Sequence, residues 1–462
     1  MRKLTLLILA AGKGTRLKST LPKVLHQLAG KSLIEHVVEA AGPLNPSAIC
    51  VVVGYEAARV QNALSHFPLQ FAIQEPQLGT GHAVQVAGTF WKPHEGDLLV
   101  LSGDVPLIST QTLQRLLSQH AQSNASVTLL STNLTAPAGY GRVVRSADGD
   151  VECIVEHKDA TDEERRISEI NTGIYCFVIA DLARIIDQLS AENSQKEYYL
   201  TDCIGLLKKQ NKRVSAVVCQ DPSEVSGINS RAELAELERL VRQKKLNQLM
   251  QDGVTIIDPG STYVEPNVRV GADAVLYPNV FLEKGAIIGA GCQIYPNVRI
   301  SASTIEDGVV VLDSCLISES HVGARSQIGP FAHLKNRTVI GNQARVGNFV
   351  EIKNSRLGNQ TKAAHLSYLG DAEIGQHVNV GAGTITCNYD GVSKNKTIIE
   401  DDVFVGSDSQ LIAPVTVHRG AYIAAGSTIQ QDVPEDALAI ARSQQVNKEQ
   451  WARKRRESRR KE

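Results

Sequence analysis

Aromatic residues are scarce in this 462-residue chain, at 5%. That excludes a bulky aromatic core. The 36 glycines and the many Val and Ile point instead to tight, regular β-turns. Net charge is also missing: Lys plus Arg is 48 and Asp plus Glu is 49. No global field therefore argues for nucleic acid or acidic lipid as a partner. No run approaches the ~20 apolar residues of a membrane span. The short run Leu4–Ala11 imitates a secretory leader but leads into a glycine loop, not a cleavage site. The eight cysteines never form Cys-x-x-Cys. Their spacing indicates neither a disulfide framework nor a zinc motif, and the expected compartment is the cytoplasm. What remains is an ordinary globular composition, 42% hydrophobic and 21% charged, long enough for two or three domains.

The first half alternates in type. Leu4–Leu9, Ile49–Val53, Leu69–Ile73, Leu98–Leu101 and Ser126–Leu130 are short apolar runs that suit buried parallel strands. Amphipathic stretches lie between them, at Ser32–Ala41, Tyr55–Leu64, Gly81–Phe90 and Thr110–Ala121. This order predicts a doubly wound, Rossmann-like α/β sheet whose ligand lies beyond the carboxyl ends of its strands. Val143–Val155 and Ile170–Val178 read as hairpin strands appended to it. Ser230–Gln251 reads as one connecting helix, with Leu234, Leu237, Val241 and Leu249 at helical spacing.

From Val264 the period becomes six. Val264, Val270, Leu276, Leu282, Ile288, Ile294 and Ile300 form an unbroken series, resumed at Leu316, Val322, Ile328 and Leu334 and again from Ile340 to Ile429. A small or β-branched residue stands four places after each, as at Ala274, Val298 and Thr304. A hexapeptide period held this long predicts a parallel β-helix whose aliphatics stack as a ladder. The repeat is displaced near Leu357–Tyr368, and an insertion runs from Thr386 to Lys396. Such interruptions map to loops on one face, often the binding face. The expected organisation is 1–229 α/β domain, 230–251 linker helix, 252–445 β-helix and 446–462 a basic, solvated tail.

Two constellations carry chemistry. The loop Leu9-Ala10-Ala11-Gly12-Lys13-Gly14-Thr15-Arg16-Leu17 follows the first strand, and Lys23 comes soon after. Its glycines let backbone N–H groups converge on an anion, while Arg16 and Lys23 neutralise phosphate oxygens. Ser102-Gly103-Asp104-Val105-Pro106 ends another strand, where a carboxylate suits Mg²⁺. On the β-helix, His365 stands off the aliphatic series, among Glu351, Lys353, Tyr368, Asn379, Asn388 and Tyr389. A near-neutral His suits an amine that must lose a proton to attack a thioester.

With Pro22-Lys23, Gln74 and Gly79-Thr80, the loop and Gly-Asp-Val-Pro resemble the sugar-nucleotide pyrophosphorylases. Lys-Ala-Ala-His365-Leu-Ser-Tyr-Leu-Gly-Asp and Gly-Ala-Gly-Thr-Ile-Thr-Cys-Asn-Tyr-Asp-Gly narrow the match. Over residues 1 to about 445 the chain resembles the bifunctional N-acetylglucosamine-1-phosphate uridyltransferase/glucosamine-1-phosphate acetyltransferases. The resemblance implies a left-handed β-helix and a homotrimer. It implies two reactions on the way to UDP-N-acetylglucosamine, supplying peptidoglycan and lipopolysaccharide precursors. In the first, acetyl-CoA acetylates glucosamine 1-phosphate. In the second, the sugar phosphate attacks the α-phosphorus of UTP and pyrophosphate leaves. A pyrophosphorylase with one activity and a structural or regulatory β-helix is the alternative.

By matching motif, the resemblance places Leu9, Ala10, Ala11, Gly12, Lys23, Gln74, Gly79, Thr80, Ser102, Gly103, Asp104, Gly141, Glu156, Asn171 and Asn229 in the uridyl site. Arg16 and Lys23 act in transfer, and Asp104 and Asn229 hold Mg²⁺. It makes His365 the acetyl-site base, with Glu351 orienting it, and assigns Lys335, Lys353, Tyr368 and Asn379 to the sugar phosphate. The insertion's Asn388 and Tyr389 serve the same site, toward sugar phosphate and acetyl-CoA. Ala382, Ser407, Ala425 and Arg442 line the acetyl-CoA groove. Two departures stand out: Ser102 where relatives commonly have Tyr, and Lys335 where the family has Arg, which keeps charge but loses the bidentate fork.

Overall fold

A computed structural model of the chain describes residues 2–460. It divides into two compact units at Leu240–Val241. The first is built on a sheet whose central path runs Val214–Val218, Val127–Asn133, Glu169–Val178, Asp97–Ser102, Leu4–Ala10, Ala48–Val53, Gln70–Ile73. Apolar side chains leave both faces of these strands, so each face carries its own buried cluster, one around Leu7, Val52 and Val100 and the other around Leu6, Ile8 and Leu99. Helices cover both clusters, which is the doubly wound arrangement. Their starts are written locally. Ser32 caps helix Leu33–Ala41 by accepting from the Glu35 N–H, while the Glu35 carboxylate accepts from the Ser32 N–H at 2.7 Å. Ser109 caps helix Thr110–Ser123 at 3.1 Å. Each such cap is worth about 1 kcal/mol.

Two expectations change here. Strand Glu169–Val178 is not appended at an edge. It lies antiparallel between Val127–Asn133 and Asp97–Ser102, and only the hairpin strands Arg142–Arg145 and Val151–Val155 are peripheral. Its apolar face, Ile170, Ile174 and Cys176 among others, is buried like a parallel strand's, so composition carries no sign of direction. The amphipathic stretch after Thr80 is two helices, Thr80–Val86 and Gly88–Trp91.

The second unit is a left-handed parallel β-helix of three sheets with, among the described residues, 11, 10 and 9 short strands. Each strand pairs with the equivalent strand one coil later, as Val275 with Gln293 and Gln293 with Val310. The aliphatics of successive coils stack into one continuous core from Leu246 to Val433. The six-residue register is shortened by one residue on some sides. After Ile300 the next core residues are Ile305, Val311 and Ile317, all fully buried. Leu316, expected inside, is therefore 41% exposed, and Ser303 rather than Thr304 takes the small buried position. The displacement near Leu357–Tyr368 has the same cause, because Leu357, Ala363 and Leu369 keep the ladder intact. The basic tail carries an exposed helix, Trp451–Arg459. Among the described residues no helix is long and apolar enough to cross a membrane.

Candidate functional sites

The first site gathers at the carboxyl ends of Leu4–Ala10 and Asp97–Ser102, which pair in parallel with Leu9 opposite Ser102. The Gly103 N–H donates to the Leu9 carbonyl at 2.9 Å, which sets Asp104 beside the glycine loop. Gly14 has φ of +63°, and a Cβ there would lie 2.6 Å from Lys23 Cβ, so the loop closes over Lys23 only as glycine. The Lys23 ammonium contacts the Asp104 carboxylate and donates to Asn229 Oδ1 at 2.7 Å. Arg16 donates to the same Asn229 oxygen at 3.0 Å. Two cations, a carboxylate and an amide oxygen thus meet at one point. Asp104 and Asn229 are hard oxygen donors, the kind Mg²⁺ takes together with substrate phosphates.

The other candidate residues of this unit are held by their own contacts. Gln74 is buried and donates to the Gly79 carbonyl at 2.9 Å. Gly79 has φ of +102°, and a Cβ would meet the Tyr198 carbonyl at 2.7 Å. Thr80 Oγ1 accepts from the Leu200 N–H at 3.1 Å. Further along, the Asn171 N–H donates to the Gly141 carbonyl at 2.9 Å, and Asn171 Oδ1 accepts from the Tyr175 hydroxyl at 2.8 Å. Glu156 lies behind Gly141, where burial pushes its carboxyl above the usual range, assisted by the charges of Asp202, Asp159 and Glu197. Thr201 donates to it at 3.3 Å.

On the β-helix, His365 closes strand Lys362–His365, one coil above Asn348 in register. Its Nδ1 lies 2.6 Å from Asn348 Oδ1. An amide oxygen accepts, so Nδ1 is the donor in this contact, and in the neutral tautomer Nε2 is the nitrogen that carries the lone pair. Glu351, expected to orient His365, is instead on the next face, paired with Lys335 at 2.7 Å. On that face Lys335 is in register with Lys353, and Glu351 with Tyr368. Asn388 reaches this group from the insertion: it is buried and donates to Asp371, which also accepts from Asn354 at 2.6 Å. A Cβ on Gly370 would sit 2.8 Å from the Asn388 amide. Asn379 lies on the His365 face, in register with Lys362. Ala382, Ser407 and Ala425 stack along one corner: the Asp408 N–H donates to the Ala382 carbonyl, the Gly426 N–H to Ser407, and Arg442 to Ala425 at 2.6 Å. Tyr389 projects outward, 62% exposed, its hydroxyl on the Gly391 carbonyl. Asp390 ties the insertion together through the Val392 and Ser393 N–H groups, which hold its carboxyl well below the usual range.

The profile of the MobA-like NTP transferase domain matches residues 6–253. That of the GMPPB C-terminal domain matches 259–357, and the bacterial transferase hexapeptide (six repeats) matches 396–431. A bifunctional protein GlmU from Trichlorobacter lovleyi is 49% identical, with 98% of each chain covered. GlmU proteins from Koribacter versatilis and Brevibacillus brevis are 48% and 46% identical, again with 98% of each chain covered. The chain belongs to the bifunctional GlmU family. It is an enzyme of two activities, a uridylyltransferase and a glucosamine-1-phosphate acetyltransferase, and the single-activity alternative is not favoured.

Within this GlmU-family chain, residues that sequence reasoning passed over stand beside the candidate site residues. Asn348 stands one coil before His365, so the coil length itself was the available signal. Glu233 accepts from the Asn229 N–H at 2.6 Å and fixes the loop that presents the Asn229 oxygen. Tyr140 is half-buried beside Gly227, Asp104 and Arg16, and desolvation raises its hydroxyl pKa. It stands next to Gly141 in the Gly-Tyr-Gly-Arg stretch, of which only the glycine was singled out from the sequence. Ser102, the departure from Tyr, lies 2.9 Å from where a Gly173 Cβ would stand, so its small size coexists with a close backbone approach.

Proposed function

We propose that the β-helix acetylates glucosamine 1-phosphate with acetyl-CoA and that the first unit then transfers UMP from UTP to N-acetylglucosamine 1-phosphate. The observation that carries the second step is the convergence of Arg16, Lys23, Asp104 and Asn229 beside the glycine loop. Nucleotidyl transfer needs positioning and charge neutralisation more than covalent help from the protein. Backbone N–H groups of Leu9–Gly12 and the loop glycines cradle the triphosphate. Arg16 and Lys23 take up charge as pyrophosphate departs. Asp104 and Asn229 would hold Mg²⁺, which when bound neutralises phosphate oxygens. Lys23 now bridges those two oxygens and is free to turn to phosphate once a cation takes its place. Gln74, Gly79, Thr80, Ser102 and Gly103 line the nucleotide side. Gly141, Glu156 and Asn171 line the sugar side.

For acetyl transfer, His365 Nε2 takes the amine proton as the sugar nitrogen attacks the thioester carbonyl carbon and CoA leaves as thiolate. Asn348 positions the ring by accepting from Nδ1. Lys335, Lys353, Tyr368, Asn379, Asn388 and Tyr389 bind the sugar phosphate and the acetyl end, and the corner ladder Ala382, Ser407, Ala425 and Arg442 receives CoA. A homotrimer with acetyl sites completed by a neighbour is the assembly that the exposed Tyr389 supports. Domain limits of 1–229, 230–251, 252–445 and 446–462 and a cytoplasmic location, feeding cell-wall precursors, complete the reading. The test is direct: supply glucosamine 1-phosphate, acetyl-CoA, UTP and Mg²⁺ and follow CoA and pyrophosphate separately. Release of both, with pyrophosphate dependent on prior acetylation, supports the reading. Release of only one refutes it.

A further inference from the structure

A second cluster of ligating groups lies at the opposite end of the nucleotide sheet. Asp97 opens strand Asp97–Ser102, whose other end leads into Asp104, roughly 20 Å away at ~3.3 Å per residue. Cys176 stands across from Leu99 on the neighbouring antiparallel strand, so it shares a face with Asp97. Helix Thr110–Ser123 lays His120 over that face. One ligand atom from each of Asp97, His120 and Cys176 falls within 4.8 Å of the others.

His120 is the informative member. Its side chain is 1% exposed, and its Nδ1 is 2.9 Å from the Thr128 hydroxyl. Its Nε2 is buried with no hydrogen-bond partner, aimed toward Asp97 Oδ1 at 3.5 Å. A buried polar nitrogen without a partner forfeits the hydrogen bond it had in water, so it calls for an occupant. We propose that Asp97, His120 and Cys176 form a site for a borderline-soft divalent cation such as Zn²⁺, distinct from the Mg²⁺ ligands.

The chemistry fits that ion class. One imidazole nitrogen, one thiolate and one carboxylate oxygen are ligands of Zn²⁺, whereas Mg²⁺ does not take sulfur. Two anionic ligands cancel the ion's charge, so the complex is neutral where it is buried. Binding releases the Cys176 thiol proton to solvent, one per ion. Ligand atoms around a tetrahedral ion stand about 3.3–3.7 Å apart, so the cluster closes by roughly an ångström. Arg2 is a cation beside the cluster, 3.3 Å from Asp97 Oδ1 and also on Asn124. Its side chain is nearly half exposed and can turn to water. The ion would staple helix Thr110–Ser123 to two strands whose far ends carry the nucleotide site.

The experiment uses Co²⁺ as probe on the full, metal-stripped chain with excess Mg²⁺ present. One equivalent is expected to give a thiolate-to-cobalt charge-transfer band in the near ultraviolet and to release one proton. Cys176→Ser should abolish the band, and His120→Gln should weaken Co²⁺ binding at least tenfold. Absence of the band in the wild-type chain overturns the proposal. So does a band unchanged in Cys176→Ser, or unchanged affinity in His120→Gln. If Cys176→Ser does not fold, X-ray absorption of the cobalt-loaded wild type decides: a sulfur ligand is required, and nitrogen and oxygen alone refute the site.

Discussion

Replacing Asp104 by Ala tests the link between the strand-end carboxylate and nucleotidyl transfer. Asp104 pairs with Lys23, and their side chains are 25% and 13% exposed. Removal leaves Lys23 with Asn229 at 2.7 Å as its partner among the described residues. Breaking a fully buried pair costs about 3–5 kcal/mol, and partial exposure here lowers that to about 2. For a unit of this size that is a few degrees of melting temperature, so the variant stays folded. Catalysis should suffer more. Loss of one preorganised charge at a transfer site costs about 10²- to 10³-fold, or about 3–4 kcal/mol of transition-state stabilisation. Pyrophosphate release should therefore fall at least a hundredfold. CoA release from the same preparation should stay within twofold, because His365 and Asn348 belong to the other unit. Asp104→Asn, which keeps an oxygen but no charge, should fall between. Near wild-type pyrophosphate release in Asp104→Ala at saturating Mg²⁺ would refute the reasoning. Equal loss of both products would show that the variant damages folding, not a site.

Other outcomes follow from the same geometry. Asn348→Ala should lower acetyl transfer by about tenfold or more and shift its pH profile, while uridylyl transfer on supplied N-acetylglucosamine 1-phosphate is unchanged; an unaltered profile would remove Asn348 as the positioning group. Gly79→Ala forces a side chain into φ of +102° against the Tyr198 carbonyl. It should cost about 1–3 kcal/mol in strain and raise KM for UTP, read by thermal melts and initial rates. Glu156 has its folded pKa raised by burial. Its penalty is absent below the unfolded carboxyl value of about 4.3, grows as pH rises through the window up to the raised value, and persists above it. Glu156→Gln should thus raise the melting temperature at pH 7 and lose that advantage near pH 4; equal shifts at both pH values would contradict the burial argument. His365→Ala and Tyr389→Ala should each impair acetyl transfer alone and partly complement after co-refolding, whereas no recovery together with a monomeric mass in light scattering would place the whole site on one chain.

Much of the fold was legible because its periods are local. The aliphatic ladder needs only an inward side chain on each short strand, and the sequence repeats that requirement from Val264 to Ile429. The misreading at Leu316 shows where such legibility ends. A side shortened by one residue still turns, because the turn absorbs the loss, but every later core position moves with it. Ile305, Val311 and Ile317 are visible only once that shortening is located. The direction of strand Glu169–Val178 lay further out of reach. Burial on both faces dictates its composition whether it runs with its neighbours or against them, so no residue on the strand encodes the choice.

The sites divide along the same line. Gly14, Lys23, Gly79 and Asp104 could be picked out because each is demanded by a backbone conformation or a charge that few other residues supply. Asn348, Glu233 and Tyr140 could not, since an amide, a carboxylate and a phenol are common on any surface and acquire meaning only from what the fold sets beside them. Glu351 is the complementary case. A carboxylate two residues from Lys353 and fourteen from His365 looked like a partner for the imidazole. A coil of 17 residues puts it opposite Tyr368 and beside Lys335, while Asn348 alone stands in register with His365. In a β-helix the neighbour of a side chain is therefore the residue one coil away, not the nearest polar residue along the chain. Any further positioning group for His365 should be sought at the register positions on either side of it.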